Sequence, residues 1–306
     1  TTFCTSWDSW ESHTLEAVAA AVEEEEVAAA VVLPVAPPPA SSPSLGQLIF
    51  ADIRLVVVYP LLAPTLDGFL DQLPDIALFH ANSNNFAGAI SPNIAKLQYL
   101  YELDISNKKF SGSFPTALLG MDSLSFLDGR FNFFSGARGI AKALENLSEI
   151  LLLNNVLSRC LPYELGLLKQ AVGFDAGNNF LTGPLPFSLA CSEKLEVLNF
   201  AGNLLYGHIP EVLCGLGNLA NLSLSDNYFM GFGPVCWRLI KNGVLDVKKN
   251  CIPGLPFQRS VAECATFFAR PRFCPYMPTY AHISCWLPHF KAFAFALSEL
   301  APSPSY

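Results

Sequence analysis

The chain is 306 residues long, 51% hydrophobic and only 14% charged, with a formal net charge of -8. No run of 18 apolar residues occurs, which excludes a transmembrane helix. The acidity is local, because residues 1–60 hold eight of the 26 acids and one base, leaving 18 acids against 17 bases in residues 61–306; a near-neutral body excludes nucleic acid as its partner. Residues 1–46 carry an Ala/Glu stretch, LEAVAAAVEEEEVAAAVV, followed by PVAPPPASSPS. The first half reads as an isolated helix without a core and the second as an extended linker, so the segment is expected to be low-complexity and disordered. Four consecutive acids, Glu23 to Glu26, stand where a secretory signal needs an apolar core. Residues 47–75 form a lead-in to the body.

From residue 76 to 254 one outline keeps returning: ALFHANSNNFAGAISP, YELDISNKKFSGSFP, VGFDAGNNFLTGPLP, VLNFAGNLLYGHIP, NLSLSDNYFMGFGP. Apolar residues two apart are followed by a polar pair, an apolar residue, Gly and often Pro. Aligned on one Asn of the frame, the units fall at Asn84, Asn132, Asn155, Asn179, Asn203, Asn227 and Asn250, with Lys108 in the second unit, at steps of 23 or 24 residues. A period that regular marks a leucine-rich repeat. The expected fold is α/β, a right-handed β-α solenoid of about eight repeats with a parallel sheet on its concave face.

Each unit has a physical reading. The alternating pair, such as Leu103 and Ile105, is a short strand with one face buried. The Asn amide, with two donors and an acceptor, satisfies backbone groups that the following turn leaves open, so stacked Asn side chains form a ladder. Phe86, Phe110, Phe134, Phe180 and Phe229 are expected to fill the interior, while Lys108 is expected to reach out of the stack. Gly88, Gly112, Gly136, Gly183 and Gly207 suit turns that a Cβ resists.

Strand positions between buried residues face the concave side, where solenoids bind partners. They give the column His80, Asp104, Asp128, Leu151, Asp175, Asn199, Ser223 and Asp246. An acidic column of this kind would steer and pair a basic ligand, with Arg130, Phe131 and Tyr101 beside it as further contacts. Equally, Asp on a solvated face needs no functional reason. Catalysis has no support: no nucleophile is spaced beside His80, and no metal, phosphate or dinucleotide motif occurs, so neither cofactor nor metal is expected. Cys236, Cys251, Cys264 and Cys274 crowd the region 255–277 and its approach, pointing to a disulfide-pinned C-terminal cap in an oxidising compartment; Cys160, Cys191 and Cys214 read as buried free thiols. Residues 278–306 are a tail. Asn146-Leu-Ser and Asn221-Leu-Ser are glycosylation acceptor sequences.

SPNIAKLQYLYELDISNKKFSGSFPTALLGMDSLSFLDGRFNFFSG and KKNCIPGLPFQRSVAECATFFARPRFC resemble the repeat domain of plant leucine-rich repeat extensins, most of all the short relatives lacking the extensin tail. The resemblance covers roughly residues 48–277. It implies a secreted, extracellular cell-wall protein of the apoplast whose repeats bind a protein or a basic signalling peptide of the rapid alkalinization factor type, with wall polysaccharide as a further partner. The family's Cys-bearing segment ahead of the first repeat is missing, and FSGARGIAKALENLSEILLLNN joins what in the family are non-adjacent repeats, so the chain reads as truncated by about two units. The alternatives are an inhibitor of secreted wall-degrading enzymes like the polygalacturonase inhibitors, which share this repeat but have a Cys-rich cap at both ends, and a truncated product without function.

Overall fold

The computed structural model describes residues 31–34, 53–56, 66, 73–80, 86–136, 146–270, 274 and 285. Eight three- or two-residue strands, one per repeat from Leu78–His80 to Leu245–Asp246, pair in parallel in chain order. Two more precede them. Ile53–Val56 pairs in parallel with the first repeat strand, and Val31–Pro34 pairs antiparallel with Ile53–Val56. Val31–Pro34 falls within the low-complexity segment 1–46, the rest of which lies outside the described residues. The run Val-Val-Leu-Pro is β-branched and apolar enough to add a strand to an edge that would otherwise expose unpaired backbone.

Burial follows the alternation. Phe79, Leu103, Leu127, Ile150, Phe174, Leu198, Leu222 and Leu245, the middle or first residues of successive strands, lie inside the stack. On the flank, the chain leaves each turn in a second strand. These form a three-stranded group from Ala87–Gly88 to Phe133–Ser135 and a four-stranded group from Ser158–Cys160 to Tyr228–Phe232, linked by the bridge between Ser135 and Val156. Short helices line the convex side: 3₁₀ turns at Pro92–Lys96, Thr116–Gly120, Tyr163–Leu167 and Phe187–Cys191, then α-helices at Glu211–Cys214 and Pro234–Lys241. Pro115, Pro162, Pro186 and Pro210 stand just before four of them, where a fixed φ and a missing N–H cost nothing.

The ladder is present and regular. Asn203 Oδ1 accepts from Leu181 N–H in the preceding repeat, while its Nδ2 donates to the carbonyls of Ala176, Phe200 and Ala201. Asn132, Asn155, Asn179, Asn227 and Asn250 repeat that pattern, each accepting one N–H of the previous unit and donating to carbonyls on both sides. The residue before each is in the left-handed region, at φ values from 50° to 67° across Asn154, Asn178, Gly202 and Asp226, which turns the Asn inward. Asn84 lies outside the described residues.

Two sequence expectations are corrected here. Phe180 is 55% exposed and Leu181 occupies the interior position instead; Phe180 follows its Asn by one residue where Phe134 and Phe229 follow by two, and a one-residue shift along a strand changes faces. Lys108 does not leave the stack. It is only 5% exposed, and burial lowers its ammonium from 10.5 to about 8 against the attraction of Asp104.

The cysteines are also redistributed. Cys251–Cys264 pins the cap helix Val261–Phe268, and Cys214–Cys236 joins consecutive repeats. Cys274 returns to Cys160, and Cys285 to Cys191. Cys160, Cys191 and Cys214 are thus bridged rather than free; their partners sit in the next repeat or far down the chain, a pairing that repeat position alone does not show. Gly183, at φ 91°, is where the returning chain touches the flank, since a Cβ there would overlap Cys274 Sγ. Arg159 takes the same turn at φ 90° without being glycine, a conformation costly for a side-chain-bearing residue. The cap helix covers the end of the flank, with Phe267 stacked on Tyr228 and edge-on to Tyr206.

Candidate binding surface on the concave face

The strand register places His80, Asp104, Asp128, Leu151, Asp175, Asn199, Ser223 and Asp246 opposite one another in unbroken sequence. The column read from the repeats therefore exists as a physical row across the inner sheet. Its members have a local task as well. Asp104 Oδ1 accepts from Ser106 N–H, Asp128 from Arg130 N–H, Asp175 from Gly177 N–H, Asn199 from Ala201 N–H and Asp246 from Lys248 N–H. In these five repeats the side chain caps the backbone two residues on as the strand ends, a geometry that Asp and Asn adopt readily.

The acids are not equivalent. Asp128 is 3% exposed and held by Arg130, whose Nε and terminal nitrogen reach both carboxylate oxygens at 2.6 to 3.1 Å. That hydrogen-bonded pairing raises the Arg130 guanidinium, with Asp175 and Asp104 adding attraction from either side. Burial raises the Asp175 carboxyl, opposed by hydrogen bonds from Gly177 and Asn199 and by Arg130. His80 Nε2 lies 3.1 Å from Glu102 Oε2 on the neighbouring strand. Tyr101, just ahead of that strand, is 52% exposed, and Phe131, at φ 55°, is 45% exposed beside Arg130. Ser223 sits half-buried in the row.

The first position of each three-residue strand faces the same side and was not read from the sequence as part of this surface. It adds Glu102 and Glu149, which frame the acidic row, and Val197 and Asn221 further on. Alternation alone would have found them, since both residues flanking a buried strand position share a face.

At the far end, where the last repeat meets the cap, an open depression of about 520 Å³ is lined by Asn178, Gly202, Asp226, Asp246, Lys248, Lys249 and Phe257 among others. Arg259 pairs with Asp226, donates from Nε to the Asn227 carbonyl at 2.8 Å and lies 4.3 Å over the Tyr228 ring. Among the described residues, no three His, Cys, Asp or Glu side chains are grouped to hold a metal ion, and no helix is long and apolar enough to cross a membrane.

A leucine-rich repeat family model matches residues 194–216. A pollen-specific leucine-rich repeat extensin-like protein of Arabidopsis thaliana is 41% identical over 63 residues, 20% of this chain and 9% of that protein. Among solved structures, the Arabidopsis receptor kinase HAESA, in complex with the peptide hormone IDA and the co-receptor SERK1, superposes with a TM-score of 0.60 at 29% identity, over 66% of this chain and 34% of the receptor chain. The plant peptide hormone receptor RGFR1, in complex with RGF2, gives 0.55 at 26% identity, over 60% of this chain and 30% of the other. The matched part is thus about a third or less of each relative's length. Ladder, register and matches together make the chain a leucine-rich repeat solenoid, similar to the repeat regions of plant extensin-like and hormone-receptor proteins.

Proposed function

We propose that the chain is a non-catalytic binding protein of the plant cell wall and apoplast, taking a protein or a basic signalling peptide of the rapid alkalinization factor type on the concave face. The observation that carries this reading is the in-register row of Asp104, Asp128, Asp175 and Asp246 with Glu102 and Glu149 beside it. Likeness to receptors solved with peptide hormones supports a binding role for such a surface. Four disulfides suit an oxidising, extracellular setting. Asn146 and Asn221 are both exposed acceptors for a glycan; Asn146 lies ahead of its strand, while Asn221 opens a concave strand, where a glycan would narrow the surface.

Titration calorimetry of the full chain against basic wall peptides tests the reading. The double change Asp104→Asn, Asp175→Asn is expected to weaken binding about tenfold, mostly through slower association, and more at low salt than at ionic strengths where charges are screened within ~8 Å. Asp128 is the wrong residue to change, because Arg130 already neutralises it. Glu164→Gln, exposed on the convex side, is expected to have no effect. Binding of a fungal polygalacturonase in place of the peptides would assign the chain to the inhibitor class, and binding of none of these would overturn the proposal.

A further inference from the structure

The concave face is electrically divided. Along the strands and turns of the second to fifth repeats, Glu102, Asp104, Asp128, Glu149 and Asp175 stand against the guanidinium of Arg130. At the cap the balance reverses, with Lys248, Lys249 and Arg259 against Asp226 and Asp246.

The cations there are not equally committed. Arg259 is engaged by Asp226, by the Asn227 carbonyl and by the Tyr228 ring. With Asp226 answered by Arg259, Lys249 contributes only a 3.9 Å approach to that carboxylate, and Lys248 stands equally far from Asp246. The Lys248 and Lys249 side chains are 65% and 70% exposed. Both line the depression, and so does Phe257, which is three-quarters exposed. Phe257 is fixed there by its left-handed φ of 59° and by its carbonyl, which accepts from Lys249 N–H at 2.7 Å. Strain of that kind persists where surroundings impose it, and it gathers at binding sites. Between the two charged ends, the concave positions of the sixth and seventh repeat strands are uncharged: Val197, Asn199, Asn221 and Ser223.

We propose that the concave face binds a charge-bipolar peptide, with the basic segment along the second to fifth repeats and an acidic end carrying an apolar side chain in the Lys248, Lys249 and Phe257 depression. The inference rests on the concave-face reading above and adds the ligand's second half. Six inter-strand steps separate the strand of Asp104 from that of Asp246, which at ~4.8 Å each is ~29 Å, the reach of about nine extended residues at ~3.3 Å apiece. A shorter ligand cannot span the whole row from Asp104 to the depression.

The test uses two synthetic 12-residue peptides measured by fluorescence anisotropy on the full chain. One has a Lys/Arg-rich segment and a neutral end; the other has the same segment and a Glu-Glu-Phe end, made in both chain directions. The expected result is at least tenfold tighter binding of the bipolar peptide in one direction. The double variant Lys248→Glu, Lys249→Glu is expected to erase that gain, leave the thermal midpoint in place and leave the basic peptide's affinity within about twofold. Binding of the basic peptide with no gain from the acidic end, or a gain that survives charge reversal, overturns the inference and leaves the concave reading standing. Binding of neither peptide overturns both.

Discussion

Replacing Lys108 by asparagine should stabilise the protein. Lys108 occupies a ladder position, buried, with its ammonium lowered from 10.5 to about 8 chiefly by desolvation. A difference of that size corresponds to roughly 3 kcal/mol spent on keeping the charge inside the fold. The Lys108→Asn change would remove that cost and place an acceptor near Phe86 N–H, the position that Asn132 Oδ1 serves for Phe110 one repeat later. In a solenoid of this length about 3 kcal/mol raises the thermal midpoint by roughly 6–12 °C. The pH dependence separates this account from simple repacking. A lysine whose folded pKa lies below its unfolded value destabilises fully at pH below about 8. The penalty fades as pH rises from there toward 10.5, because the unfolded chain then binds more protons than the folded one. Thermal unfolding followed by circular dichroism from pH 7 to about 9.5 should therefore show the wild type gaining on Lys108→Asn as pH rises. An equal or lower midpoint for the variant at neutral pH, or parallel pH slopes for the two proteins, would refute the reasoning.

Asn203→Ala removes one acceptor and an amide that serves three carbonyls, stranding the buried Leu181 N–H; at ~1–3 kcal/mol for each unpaired buried group, calorimetry should find the midpoint lowered by roughly 6 °C or more, and a thermally silent variant would remove the ladder's energetic role. Peptide mapping by mass spectrometry without reduction should recover Cys160–Cys274, Cys191–Cys285, Cys214–Cys236 and Cys251–Cys264 as linked fragments, leaving Cys4 without an intrachain partner among the nine cysteines; other pairings would refute the returning path of the chain. Because burial raises the Asp175 carboxyl, its negative charge is lost at higher pH than an ordinary aspartate's, so a basic peptide should bind progressively less well as pH falls through that raised value, and Asp175→Asn should flatten the profile.

What was legible in the sequence was whatever the period imposes. The Asn positions, the strand column and the number of repeats all follow from a step of 23 or 24 residues, and from Asn132 to Asn250 the ladder lies where counting puts it. What was not legible depends on contacts between distant parts or on energy balances that counting ignores. Lys108 looked like a residue that must face water, yet its place in the frame holds it inside. Phe180 looked like its aromatic counterparts and differs by one position. The acidic row was visible, but not that Arg130 cancels Asp128 or that each acid first serves its own turn. The cap depression had no sequence signal beyond adjacent lysines, because Phe257 reaches it only through the fold of the cap.

The two long-range bonds, Cys160–Cys274 and Cys191–Cys285, change the kind of object this is. A stack in which each repeat touches only its neighbours unzips from either end, one unit at a time. Here the later repeats are closed into a ring by the returning chain, so they must open together or not at all, while no disulfide among the described residues ties the repeats before Cys160. The protein should therefore fray from one side only. It should also mature late: during synthesis the fourth and fifth repeats wait for residues near the other end of the chain before Cys160 and Cys191 have anything to bond.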